Sequence, residues 1–134
     1  MATTTDTFNH NIPAESAFGY TQAIKSGDLI HVSGQLSLDD AGEFRHADAF
    51  AAQLKLTYAN FDKILGHYGV TRNQIVSQVL YVVDVQRHSD ETMRGNLAYY
   101  GDHRPVSTVL GVTALTFPGQ VIEISFIVDT KLPA

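Results

Sequence analysis

The 134-residue chain contains no cysteine, which removes disulfides, thiolate metal sites and cysteine nucleophiles from consideration. Basic residues are scarce as well: 9 Lys and Arg stand against 14 Asp and Glu, a formal net charge of −5. With no basic run to offset that balance locally, a broad surface for nucleic acid or anionic membrane is not expected. No apolar stretch reaches membrane-spanning length. The opening MATTTDTFNHNIP lacks the positive and apolar regions of a secretion signal, so the expected location is cytoplasmic. The 6 histidines show no H-x-x-x-H or H-x-x-E-H spacing, and no G-x-S-x-G, P-loop or dinucleotide fingerprint occurs. Neither a metal site nor a cofactor is therefore expected.

What is present describes an ordinary globular chain, 44% hydrophobic and 17% charged, with a single domain spanning residues 1–134. No repeat, linker or low-complexity tract divides it. YTQAI (20–24) and LIHVSGQL (29–36) are short strands whose KSGD joint reads as a hairpin turn. From Asp48 the period changes. Phe50, Leu54, Thr57 and Tyr58, Phe61, Leu65 and Tyr68 recur at helical spacing, with Asp48 as N-cap and Gly69 as C-terminal stop. QIVSQVLYVVDV (74–85) is a strand. A second helix, capped at Ser89 or Asp90, runs to about Tyr100 before Pro105. VSTVLGVTAL (106–115) and QVIEISFIVDT (120–130) are two more strands, joined as a hairpin through TFPG, whose Pro-Gly suits a type II turn. The order β-β-α-β-α-β-β, with two helices on one face of a mixed sheet, is an α+β fold.

The last strand poses the functional question. Ile122, Ile124, Phe126 and Val128 share the face that the helices cover, which leaves Val121, Glu123, Ser125 and Ile127 on the other. That second face is not polar enough to be solvated. In the 74–85 strand Val79, Tyr81 and Val83 likewise leave no polar side, so coverage by further copies of the chain is expected. Glu123 then faces water at a rim, pairs with a cation such as Arg104, or is partly desolvated and kept for acid–base chemistry. From spacing alone the first two are the commoner outcomes.

Three segments narrow the choice. GYTQAIKSGDLIHVSGQ resembles the opening signature of the RidA (YjgF) family, G-x-Y-S-Q-A, a turn, then an apolar strand ending V-S-G-Q. GDHRP followed by TVLGVTAL, and PGQVIEI, resemble the rest of that signature, and the likeness covers residues 18 to 128 in order. It implies a chorismate-mutase-like homotrimer, its sheets lining a central barrel, with a ligand cleft at each subunit interface. The implied activity is hydrolysis of reactive enamines and imines, such as those derived from 2-aminoacrylate, to 2-oxo acids and ammonia. Tyr20, Ser33 and Gly34 match ligand-contacting positions, and Glu123 matches the glutamate that orients or activates water. One departure is large. Where active deaminases read P-A-R this chain reads RPVSTV, so Ser107 stands in place of a guanidinium that clamps the substrate carboxylate. Val109 occupies the place of a nearby cysteine, and Met93, with Asn96 close by, that of a helix asparagine.

Two readings follow. In the first, the chain is a cofactor-independent hydrolase of a small amino, imino or enamine metabolite. Glu123 activates water, the backbone around Ser107, Thr108 and Val109 holds the polarised atom, and Arg104, Ser107 and Tyr20 contact substrate. In the second, the same trimer binds a metabolite or acts as an interaction module without catalysis. Bland roles compete at each position: Arg104 as part of a structural HRP connection, Tyr20 as packing, Ser107 as a space-filling strand serine. His31 and His103 fall under the same competition, as structural histidines.

Overall fold

A computed structural model describes residues 6–134. The elements are β1 (Asp6–Phe8), α1 (Pro13–Phe18), β2 (Ala23–Ser26), β3 (Leu29–Gln35), α2 (Phe50–Tyr68), β4 (Ile75–Val83), α3 (Val85–Tyr100), β5 (Val106–Val112) and β6 (Ile122–Asp129). The strands form one mixed six-stranded sheet in the order β1-β2-β3-β6-β4-β5, an α+β architecture. No helix among the described residues is long and apolar enough to cross a membrane.

The expected elements from β2 to β6 are present, with shifted ends. Strand β2 begins at Ala23, so Tyr20 lies in the segment between α1 and the sheet rather than in a strand. The β2–β3 hairpin turns at Gly27, whose φ of 60° suits a residue without Cβ. Helix α2 buries Phe50, Leu54, Thr57, Tyr58, Phe61, Ile64 and Leu65 along one face and ends at Gly69 in the left-handed conformation. Asp48 does not cap it: the N-cap is Ala49, and Asp48 itself has φ of 62°. The second helix starts at Val85, earlier than Ser89 or Asp90, because Asp84 in a left-handed conformation (φ 55°) turns the chain directly from β4 into α3.

Two features differ in kind from the sequence expectation. Strand β1 and helix α1 precede the expected elements. Pro13 occupies the first position of α1, and Glu15, at the third, accepts the Ile12 N–H at 3.1 Å, half of a capping box. The last two strands are not a hairpin. Helix α3 carries the chain back across the sheet so that β5 lies parallel to β4, as a crossover connection requires. Strand β6 then inserts between β3 and β4, antiparallel to both. The TFPG turn still forms, with Gly119 at φ 80° and Gln120 N–H donating to Phe117 O at 2.9 Å, as a type II turn does.

Helices α2 and α3 are the amphipathic covers, and the core lies between them and the inner sheet face. Ile122, Ile124, Phe126 and Val128 are at most 2% exposed. Phe61 stacks on Phe126 at 4.0 Å, and Tyr58 stacks on Tyr99 at 4.0 Å. Helices α2 and α3 meet at Gly95, where a Cβ would lie 2.2 Å from Leu54 Cδ2. On the sheet side of α2, Phe61 is 0% exposed against Phe126. Its replacement by alanine is expected to cost about 3–5 kcal/mol, read by chemical denaturation at fixed protein concentration. A loss below 1 kcal/mol, on the order of an exposed substitution, would show that the α2–sheet contact is not the packing centre.

Candidate active site

The central placement of β6 decides where its carboxylate goes. With the even-numbered apolar residues under the helices, Glu123 emerges on the second face, directly across from Tyr81 of β4. On its other side the β3–β6 ladder is irregular between Val32 and Gln35, and this bulge brings Gly34 against the glutamate. A Cβ on Gly34 would lie 2.4 Å from Glu123 Oε2. The glycine is therefore required by the close approach of the carboxylate, not by its own backbone angles.

Glu123 is partly buried, and no cation pairs with it among the described residues. Its side-chain hydrogen bond comes from Gln120, whose Nε2 donates to Glu123 Oε1 at 3.2 Å. Burial pushes the glutamate's pKa above its ordinary value, and the Gln120 hydrogen bond opposes that rise. Gln120 is 3% exposed and fixed at both ends of its amide: Nε2 also donates to Ile122 O, and Oε1 accepts the Phe117 N–H. The turn that carries it is anchored by Gln53 of α2. Gln53 Nε2 donates to Gly119 O at 2.7 Å, and Gln53 Oε1 accepts the Val121 N–H at 2.9 Å. A chain of amides thus runs from the first turn of α2 to the carboxylate.

Tyr20 borders the same region. Burial raises its pKa, as do the carboxylates of Glu15 and Glu123, against a weak hydrogen bond from Gln22 Nε2 at 3.4 Å. Behind it lies a buried polar network. Gln22 Nε2 donates to Glu15 Oε2, Gln35 Nε2 donates to Gln22 Oε1, and His10 Nε2 meets Gln35 Oε1, each at 2.9 Å. A cavity of about 330 Å³ opens beside this network, lined by residues that include His10, Tyr20, Gln22, Gly34, Gln35 and Lys63. Ser33 takes a structural part, its hydroxyl donating to Thr21 O at 2.7 Å.

The remaining predicted contacts stand elsewhere. Ser107, Thr108 and Val109 lie on β5, the outer strand, separated from Glu123 by β4. Ser107 points to the helix side, where its Oγ accepts from Gln78 Nε2 at 3.0 Å, whereas Thr108 shares the face of Val79 and Ser125. Arg104 bonds the carbonyls of Gly101 and His103 within its own loop and makes no ion pair with Asp102 or Glu123. His103 Nε2 lies 2.7 Å from Ile75 O. In the single chain both residues are thus engaged with backbone carbonyls, and the Asp102 partner considered for Arg104 is not used. Within one chain, then, Tyr20, Gly34 and Glu123 come together, Ser33 stands next to them, and the β5 group is a second, distant half.

The family described as Endoribonuclease L-PSP matches residues 10–130. RutC family protein y4sK of Sinorhizobium fredii is 32% identical over 111 residues, covering 82% of this chain and 86% of its own. The chain belongs to the RidA/YjgF family. RutC family protein YjgH of Escherichia coli is 30% identical over 107 residues, 79% of each chain. Among solved structures, a YjgF/YER057c/UK114 family member from Mycobacterium tuberculosis superposes with a TM-score of 0.82 at 28% identity, over 94% of this chain and 99% of that one. RidA from an Antarctic Psychrobacter gives 0.80 at 27% identity, over 92% and 97%.

The segments that resemble the family carry Gln22, Gln35 and Gln120 as well as Tyr20, Ser33, Gly34 and Glu123, but no role was expected for these amides. Gln22, Gln35, Gln78 and Gln120 are each at most 3% exposed. Their signal was present as glutamines inside or beside apolar strands, where a buried amide must find partners. Replacing Gln120 by leucine removes the hydrogen bond that favours ionised Glu123, so the carboxyl is expected to titrate at higher pH than in the parent protein. Carbon-13 NMR of the glutamate carboxyls follows this directly. An unchanged or lowered midpoint would show that Gln120 does not tune it.

Proposed function

We propose that this RidA/YjgF protein is a cofactor-independent hydrolase of small enamines and imines, with Glu123 as general base. The observation that carries the reading is the carboxylate lodged against Gly34, partly desolvated and without a cation, beside the Tyr20 hydroxyl. A carboxyl whose pKa is raised by burial is a stronger base than one in water. Glu123 takes a proton from water as the oxygen attacks the C=N carbon, and return of that proton to the imine nitrogen gives a carbinolamine. Collapse of that intermediate expels ammonia and leaves the carbonyl product. The balance is imine plus water to carbonyl plus ammonia, with no redox step. The family's description names an endoribonuclease; a net charge of −5 gives no support to a polyanionic substrate here.

We propose further that the working unit is a homotrimer in which the β5 edge of one protomer completes the Glu123 cleft of the next. Strand β5 has one unpaired edge, and its Val106, Val109 and Leu110 are 68%, 47% and 44% exposed. An apolar open edge of this kind invites pairing or coverage. Since β4 separates Ser107 from Glu123 within a chain, only a second copy brings those positions to one ligand.

Imines generated in situ by an amino-acid oxidase, followed against semicarbazide trapping, test the activity. Glu123→Gln is expected to slow hydrolysis roughly 10²–10⁴-fold, the usual worth of a positioned base; undiminished turnover would remove Glu123 from the chemistry. The acid limb of the parent's pH–rate profile should lie above the ordinary glutamate range, because the base must be ionised and burial raises its pKa. A second readout concerns stability. The folded state holds the Glu123 proton more tightly than the unfolded chain, so this group's contribution is most favourable at low pH and declines as pH rises through its raised pKa. Glu123→Gln should therefore melt higher than the parent protein at pH 7, with the difference closing below the ordinary glutamate range. Equal melting at both pH values would show that the carboxylate is not under strain.

A further inference from the structure

The second half-site is built from uncharged groups that saturate one another in a defined way. Tyr100 OH donates to Gln78 Oε1 at 2.8 Å, and Gln78 Nε2 lies 2.6 Å from Asn96 Oδ1 and 3.0 Å from Ser107 Oγ. Ser107 Oγ in turn donates to Pro105 O at 3.2 Å. Gln78 is 2% exposed and Tyr100 is 4% exposed, so this end of the chain of bonds is fixed in the core. Ser107 is at the surface and Asn96 is half-buried. Counting valences, both Gln78 N–H bonds and its carbonyl are occupied. Asn96 turns its oxygen to Gln78, which leaves its two N–H donors without a protein partner among the described residues, and Ser107 keeps one lone pair.

The geometry points to a neutral anchor, with Asn96 and Ser107 holding the uncharged amide or hydroxyl end of the substrate. This inference rests on the hydrolase reading above and names its substrate class. A carboxamide meets the pair twice, its carbonyl accepting from Asn96 Nδ2 and its N–H donating to Ser107 Oγ. A carboxylate finds donors on one side only, meets a lone pair on the other, and has no cation to offset its desolvation. Reversing both amides exchanges donor for acceptor and leaves the set uncharged. Arg104, the cation nearest Ser107 along the chain, is turned onto the carbonyls of Gly101 and His103, and Arg94, two residues before Asn96, pairs with Asp90 at 3.0 Å. Glu123 and the net charge of −5 add to the preference for a neutral ligand.

The test compares pyruvamide with pyruvate, two stable carbonyl compounds differing only in that end, by NMR titration of the full-length protein. Pyruvamide is expected to bind the parent protein roughly tenfold more tightly, the order expected of one net hydrogen bond. Ser107→Ala should narrow that ratio and Ser107→Arg should invert it, with the melting temperature of each variant confirming the fold. Pyruvate binding as tightly as pyruvamide, binding of neither, or a ratio unmoved by both variants would overturn the anchor. The two readings fail differently. Hydrolysis of imines with no amide preference sinks the anchor alone, whereas an amide preference with no accelerated imine sinks the hydrolase reading.

Discussion

Everything about the site follows from β6 lying in the centre of the sheet. Because β3 and β4 pair with it on both sides, its backbone has no freedom to slip, and a one-residue slip would send four buried apolar side chains to the other face. Burial of those side chains outweighs the preferences of any single polar residue between them, since each is worth about 1.5–3 kcal/mol. Glu123 is consequently held on the second face with an orientation it does not choose. The bulge in β3 and the absent Cβ of Gly34 accommodate the carboxylate there. Packing sets the position, and the local chemistry adapts to it.

The electrostatics of Glu123 balance two opposed effects. Partial burial disfavours the ionised form, and one amide donor from Gln120 favours it. A salt bridge would hold the carboxylate ionised and weakly basic, yet Arg104 spends its guanidinium on carbonyls in its own loop. A neutral donor leaves the glutamate more basic while still fixing one oxygen in space. Gln53 makes that fixation rigid: by holding Gly119 and Val121 it ties the turn bearing Gln120 to α2, whose apolar face is locked into the core. Side-chain amides run through both supports, Gln22 and Gln35 on one side, tied to His10 and the Glu15 carboxylate, and Gln78 and Asn96 on the other, tied to Ser107.

The parts of this arrangement that were legible in the sequence are those governed by period and by local turn chemistry. Helical spacing from Phe50 to Tyr68 gave α2, and alternation in VIEISFIV separated the apolar face from the glutamate. Pro118-Gly119 gave the turn type. What sequence could not supply was pairing. Two strands joined by a tight turn read as a hairpin, but the parallel β4–β5 crossover forces the last strand past its neighbour into the gap between β3 and β4. Short elements were equally opaque: Asp6–Phe8 has too few residues to show alternation, and α1 has barely more than one turn. Asp48 misled because an acidic residue before an apolar run suits a cap, whereas here it takes a left-handed turn and donates its N–H to Gly119 O.

The sheet order also explains why the site residues divide into two groups. Tyr20, Gly34 and Glu123 flank the β3–β6 seam, whereas Ser107 and Asn96 sit across β4, with Ser107 on the opposite face. Strands are about 4.8 Å apart, so no rotamer change bridges two ladders and a sheet. An enzyme assembled from one such chain would hold a base with nothing to orient its substrate, and an anchor with no base. In the assembly proposed above, closing the apolar β5 edge of one copy against the half-covered second face of another would resolve both deficits in one contact. That contact would cover Val106 and Leu110, both exposed in the single chain, and set the proposed neutral anchor opposite a desolvated carboxylate. On that proposal the exposed apolar edge and the divided site have a single cause.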